Sequence, residues 1–274
     1  ARHRGNECPL GSGALSGSPL AIDREALAAS LGFAHATRNS LDAVSDRDTA
    51  ADYLYCASLL LTHLSRLAED LIFFTSDEAK YAELPDSLAT GSSRMPHKKN
   101  PDVLELVRGH AGRSLGELTG FLALLKGLPL AYDKDLQLDK EPLFRTHATL
   151  QVLLPALAAL IRGLKLDRQR MRIAASGDLL LATELADALA ARGIPFREAH
   201  DLVSSRIGEA IRTGRTLREL GPTEEITADD LKALDVDRAL SRRSASGGTA
   251  PARVRDAAAE AVAWADNAKS GGVL

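Results

Sequence analysis

The stretch 91–102, Gly91-Ser92-Ser93-Arg94-Met95-Pro96-His97-Lys98-Lys99-Asn100-Pro101-Asp102, gathers the groups needed to hold an anion. Glycine gives the backbone freedom at the front and two hydroxyls follow it. At the back, Asn100 and Pro101 read as the N-cap and first residue of a helix whose apolar run begins at Val103. A helix start offers unpaired N–H groups and the positive end of its dipole, and Lys98 with Lys99 adds charge, so a carboxylate or phosphate would be favoured there. A Gly/Ser/Lys loop serves equally well as a solvated connector, and the residue types alone leave both readings open.

Two further stretches are rich in polar groups. Between residues 132 and 141 stand Asp133, Lys134, Asp135, Gln137, Asp139 and Lys140, by composition a solvated loop. Near residue 45, Ser45 followed three positions later by Asp48 reads as a capping box for the long helix that comes next. The histidines carry less. His63 has no Cys, Asp or His partner at metal-ligand spacing and reads as an ordinary residue of its helix, and His200, with no evident acidic orienter, reads as a helix-surface residue. His97 sits beside Lys98, whose charge would make it a poor proton donor, and it reads as a spectator.

The elements that must position these groups are helical. Leu54, Ala57, Leu61, Leu64, Leu67, Leu71 and Phe74 recur at steps of three and four, as do Val103, Leu106, Val107, Ala111, Leu115, Leu118, Leu122 and Leu125. Polar residues 75–90, with Pro85, link these two helices, and Gly127-Leu128-Pro129 ends the second. Gly109, Gly112, Gly116 and Gly120 lie along the second helix and predict close approach of a neighbour. A third long helix, 143–164, carries Pro155 in its interior, which predicts a kink or local break. From about residue 171 shorter helices take over, one at 177–193, another opened by Pro195, others offered N-caps by Thr216, Thr223 and Thr227, and an Ala-rich one after Pro251. The expected division is a helical-bundle domain at 1–174 and a small helical domain at 175–274.

Composition agrees with this class. Aromatic residues are only 4% of the 274, and Ala and Leu dominate the apolar set, which suits packed helices better than a sheet. A net charge of −3 gives no basic field for nucleic acid. Cys8 and Cys56 make no disulfide framework, and no uninterrupted apolar run is read as reaching membrane length.

The pattern G-S-S-x-M-P-x-K-x-N-P at residues 91–101 resembles the signature loop of the fumarate-releasing lyases, a superfamily that includes argininosuccinate lyase, fumarase, aspartase and adenylosuccinate lyase. The doubled Lys98-Lys99 and the following Asn100-Pro101-Asp102 are most similar to the argininosuccinate lyase family and its crystallin relatives. The stretch GLPLAYDKDLQLDKEP at 127–142 is similar to that family's second marker, apart from Leu138, where an acidic residue is common. The resemblance implies an all-α bundle of the fumarase/aspartase type with a small C-terminal helical domain. It also implies a homotetramer with a twenty-helix core, each active site being assembled from three subunits. The implied reaction is reversible β-elimination of argininosuccinate to fumarate and L-arginine, in the cytoplasm, with no cofactor or metal.

Roles follow from the same resemblance. Ser92 matches the catalytic base, and a serine needs a helix dipole and a nearby lysine to ionise. Ser93 would donate a hydrogen bond, while Lys98 and Asn100 match positions that hold the substrate carboxylate or the loop around it. Such fixed donors would stabilise the dianion formed when the proton beside a carboxylate is removed. Glu105 matches the glutamate that orients a histidine acid; Tyr132, Gln137 and Lys140 match contacts to the amino-acid part of the substrate. Asp42, Arg47 and Asp48 match a cleft-lining region held by ion pairs. The Gly/Ser-rich start at 6–17 resembles an internal segment of the family. The expectation is therefore a C-terminal portion lacking the N-terminal domain and its histidine, inactive until a separate chain supplies them. Two rivals stand beside this reading: another elimination, with adenylosuccinate lyase or fumarase the nearest cases, and a crystallin-type structural protein.

Overall fold

Leucine stripes at helical spacing decide the architecture, because each leaves an apolar strip that another helix must cover. The structure, a computed structural model, describes residues 4–91 and 99–269. It divides into two units, Ala1–Asp167 and Arg168–Leu274.

The first unit opens with β1 (Glu7–Cys8), α1 (Arg24–Ser30), β2 (His35–Ala36) and α2 (Ser40–Ala43). Then come α3 (Asp48–Thr75), β3 (Ala82–Glu83), β4 (Thr90–Gly91), β5 (Lys99–Asn100), α4 (Asp102–Leu125), a 3₁₀ turn (Lys134–Asp139), α5 (Lys140–Gly163) and β6 (Lys165–Leu166). The strands are two-residue pairs: β1 with β2 in parallel, β3 with β6 and β4 with β5 antiparallel. The core lies among the three long helices, where Ala57, Leu61, Ala68 and Leu71 of α3 meet Leu104, Val107 and Ala111 of α4 and Leu150, Leu153, Leu157 and Leu160 of α5.

Direction follows from what lines each end. Thr75 at the end of α3, Glu105 at the start of α4 and Lys165 after α5 share one cleft. Arg47 before α3, Leu125 at the end of α4 and Leu136 before α5 share another. Helix α4 therefore runs antiparallel to both α3 and α5. At 1.5 Å per residue its 24 residues hold the two clefts about 36 Å apart.

Several sequence expectations are corrected. Asn100 is not the N-cap of α4: it lies in β5, and Pro101 occupies the cap position with no side-chain cap. The Ser45/Asp48 capping box does not form, since the Asp48 N–H donates to Asp46 Oδ1 at 2.7 Å and Ser45 Oγ donates back to the Asp42 carbonyl at 3.1 Å. Among the described residues of this chain the four glycines of α4 meet no close neighbour, for a Cβ added at any of them finds nothing within 4 Å. Close approach occurs instead at Gly163, where an added Cβ would stand 2.9 Å from Pro85 Cβ. Helix α5 continues through Pro155 without interruption. The polar stretch before it is ordered as the 3₁₀ turn, anchored by the buried Leu136. The stretch Lys134–Gly163 is also long and apolar enough to cross a membrane by length and composition, contrary to expectation. In the fold its leucines form one wall of the bundle core.

The second unit holds α6 (Arg168–Ala175), α7 (Ala182–Ala191), α8 (Phe196–Thr213), α9 (Leu217–Leu220), α10 (Val236–Arg242) and α11 (Pro251–Lys269). The helix expected from Gly177 starts at Ala182, because the Gly177 carbonyl takes the N–H groups of Leu180 and Leu181 into a turn. Leu185 and Leu189 of α7 pack with Ala199 and Val203 of α8 and with Leu217, Ile226 and Leu234. Thr216 forms a full capping box with Glu219. Glu184, its side chain almost wholly buried, is held by Arg243 at 2.5 Å and Arg242 at 3.5 Å.

Candidate active site

The sequence-predicted residues fall at the two ends of the three-helix unit. At the start of α4, the stem of the signature loop is the β4–β5 pair, Thr90 opposite Asn100 and Gly91 opposite Lys99. Ser92, Ser93, His97 and Lys98 lie outside the described residues. Asn100 Nδ2 donates to Thr90 Oγ1 at 3.4 Å across the stem. Glu105, on the exposed face of the first turns of α4, lines a cleft of about 790 Å³ together with Asn100, Lys99, Asp77 and Lys165.

Lys99 does not act as the free anion-holding cation that the doubled lysine suggests. Its ammonium donates to Glu83 Oε1 and Asp86 Oδ1, both at 2.5 Å, and reaches the Leu84 carbonyl at 3.4 Å. Three acceptors match the three N–H bonds an ammonium has to give. The hydrogen bonds to Asp86 and Glu83 raise the lysine pKa, and the same bonds lower both carboxyls. Lys99 thus pins the stem to the segment before it.

At the other end, beyond the C-terminus of α4, sit Tyr132, Gln137 and Lys140. Ala131, immediately before Tyr132, is buried with φ +72°. Such a left-handed backbone is costly for a residue with a Cβ and turns the chain sharply into the 3₁₀ segment. Gln137 Nε2 donates to Tyr132 Oη, so two of the three predicted contacts are already mutual partners. Lys140 Nζ donates to Asp139 Oδ1 at 2.8 Å, and Asp139 Oδ2 accepts from Arg47 Nε at 2.5 Å. The side chains of Asp139 and Arg47 are 12% and 20% exposed, whereas Lys140 is 53% exposed. Burial raises the Asp139 carboxyl, the bonds from Lys140 and Arg47 lower it, and the balance leaves it below the ordinary carboxylate value.

Of the predicted cleft-wall group, Arg47 makes the ion pair just described and Asp48 pairs with Arg4. Asp42 lines the same cleft of about 340 Å³. Asp139 is the residue that sequence reasoning passed over. Its signal was slight, an acid three positions after the apolar Leu136, the spacing that places both on one side of a 3₁₀ turn. His63 is exposed on α3, and His200 stands 3.8 Å from Asp201 with both side chains exposed.

Comparison with known proteins adds six findings. A family model described as Lyase matches residues 1–116, and one described as Argininosuccinate lyase C-terminal matches residues 179–245. Argininosuccinate lyase of Roseiflexus sp. (strain RS-1) is 51% identical over 260 residues, covering 92% of this chain and 57% of the relative. Argininosuccinate lyase of Thermus thermophilus is 50% identical over 268 residues, covering 95% and 58%. Among solved structures, EDDS lyase in complex with formate superposes with a TM-score of 0.80 at 32% identity, over 97% of this chain and 57% of that one. Class II fumarase from Schistosoma mansoni has a TM-score of 0.65 at 20% identity, over 85% of this chain and 50% of that one. The fold is of the fumarase/aspartase type.

The chain spans less than three fifths of the length of the curated relatives it matches, 57% and 58% for the two described. The expectation of a C-terminal portion without its N-terminal region is overturned. The finding against it is that the model described as Lyase already matches residues 1–116. With that expectation goes the one that a separate chain must supply the missing region and a catalytic histidine.

Proposed function

We infer that the chain belongs to the argininosuccinate lyase family, and we propose that the protein cleaves argininosuccinate reversibly to fumarate and L-arginine in the cytoplasm, as a step of arginine biosynthesis. The observation that carries this is the identity of 50–51% with argininosuccinate lyases across 92–95% of the chain. The two ends of the bundle suit the two halves of the task. Ser92 takes the proton beside the substrate carboxylate, and Lys98 and Asn100 hold the charge that develops there. Glu105 lines the same cleft and orients the acid that protonates the departing nitrogen. Tyr132, Gln137 and Lys140 bind the amino-acid part.

Within one chain Asn100 and Glu105 stand about 36 Å, the length of α4, from Tyr132, Gln137 and Lys140, so they do not close on one small substrate. A complete site therefore draws its ends from different copies, which supports the reading of a homotetramer with shared sites. The same reading accounts for apolar side chains left exposed on the long helices, among them Tyr55, Phe73, Leu106, Leu122 and Val152.

Likeness to EDDS lyase, a variant of which is solved with bound fumarate, favours a second reading, release of fumarate from a different substrate. Assay of the purified protein by the ultraviolet absorbance of fumarate, with argininosuccinate, adenylosuccinate and EDDS in parallel, separates the two. Fumarate from argininosuccinate alone is expected; turnover confined to another substrate would overturn the reading.

A further inference from the structure

We propose that Asp139 is a positioning residue for substrate recognition: its buried carboxylate holds the Lys140 ammonium in place and ties it to Arg47 at the start of α3. This rests on the reading of Lys140 as a substrate contact. Three observations carry it. Asp139 occupies the cap position of α5 but has helical φ −64° and ψ −31°, so its side chain makes no cap bond and is left for other partners. One oxygen takes Lys140 at 2.8 Å and the other takes Arg47 at 2.5 Å, which satisfies both ends of a carboxylate that is 12% exposed. Arg47 in turn donates from Nη1 to the Asp46 carbonyl at 2.8 Å, so the fixed point of the chain of contacts is backbone of the α2–α3 turn.

The physical consequence concerns freedom. A lysine on a solvated turn loses much rotamer entropy when it binds a ligand group. Lys140 has one donor committed to Asp139 and its head 53% exposed, so the remaining N–H bonds are already aimed before a ligand arrives. Asp139 thus acts through Lys140, and its removal loosens the recognition group while leaving the loop at the far end of α4 untouched.

The test is a double-mutant cycle on the purified protein. Lys140→Met is expected to raise KM for argininosuccinate on the order of tenfold, and Asp139→Asn to raise it by about half that factor with kcat changed less than about twofold. In the Lys140→Met background Asp139→Asn should add almost nothing, since the group it positions is gone. Asp139→Asn leaves Arg47 unpaired, so Arg47→Gln/Asp139→Asn, which replaces the ion pair by two amides, serves as the variant that keeps the fold. Acylation of Lys140 by an amine-reactive reagent, followed by mass spectrometry, reads the same contact without turnover and should quicken several-fold in both variants. Additive effects in the cycle, or an unchanged acylation rate, would overturn the proposal while leaving Lys140 as a substrate contact. No effect of Lys140→Met would overturn the underlying reading as well.

Discussion

The two ends of the bundle hold their lysines in opposite ways. At the start of α4, Lys99 is clamped between Glu83 and Asp86, whose side chains are 56% and 88% exposed, so water and salt screen both bonds. At the far end, Asp139 is clamped between Arg47 and Lys140 where two of the three side chains are largely out of water. Exposed pairs are cheap to open; a shielded carboxylate left without its cations is not. On the proposed assignment, the difference sets an easily opened stem at the reacting end against a pre-ordered surface at the recognition end.

Four measurements break or sharpen that contrast. The largest effect belongs to the stem end. Ser92→Ala should lower kcat by a factor on the order of 10² to 10⁴ with substrate binding largely kept, the span of general acid–base catalysis; a fall below about threefold would remove Ser92 from the chemistry. Ser93→Ala should cost less.

At the recognition end the effect should appear in KM. Gln137→Ala removes a donor that already bonds Tyr132, and a KM rise of several-fold is expected for a lost polar contact, roughly 1 kcal/mol. If Gln137→Ala lowered kcat and spared KM, the division of labour between the ends would be wrong.

Stability separates the ends again. Asp139→Ala should cost roughly 2 kcal/mol in urea unfolding, below the figure for a fully buried broken pair because Lys140 stays wet. Glu83→Gln with Asp86→Asn should leave the unfolding midpoint nearly unmoved at physiological salt. Equal losses at both ends would show that exposure does not set the contrast.

The smallest effect is in pH. The Asp139 carboxyl is depressed in the folded protein, so its contribution is fully present above the ordinary carboxylate pKa and is lost as pH falls through the lowered value. The stability gap between wild type and Asp139→Asn should therefore be constant from neutrality to weakly acid solution and close in strong acid. A gap that widened on acidification would reverse the sign and rule out a depressed carboxyl.

Much of this molecule was legible residue by residue. The leucine stripes marked α3, α4 and α5, and Thr216 marked a true capping box, because helical spacing and caps are settled within a few residues of chain. Reading failed where a local pattern met a competing partner that the spacing rule does not weigh. Asn100 looks like an N-cap, yet pairing with Thr90 drew it into the stem. Ser45 and Asp48 look like a capping box, yet Asp46 and the Asp42 carbonyl offered nearer partners.

By itself, then, the sequence determined the helical class, the order of the long helices and the two polar stretches on which the proposed function rests. Only the tertiary structure decided that α3 and α5 both run against α4, which brings Arg47 beside the 132–140 stretch and Lys165 into the cleft with Glu105, since direction depends on three helices packing through leucines far apart in the chain. It also decided which lysine is spoken for. The partner of Asp139 is an arginine 92 residues earlier, and no spacing rule reaches that far, because a side chain pairs with whatever the packing of the backbone brings within about 3 Å.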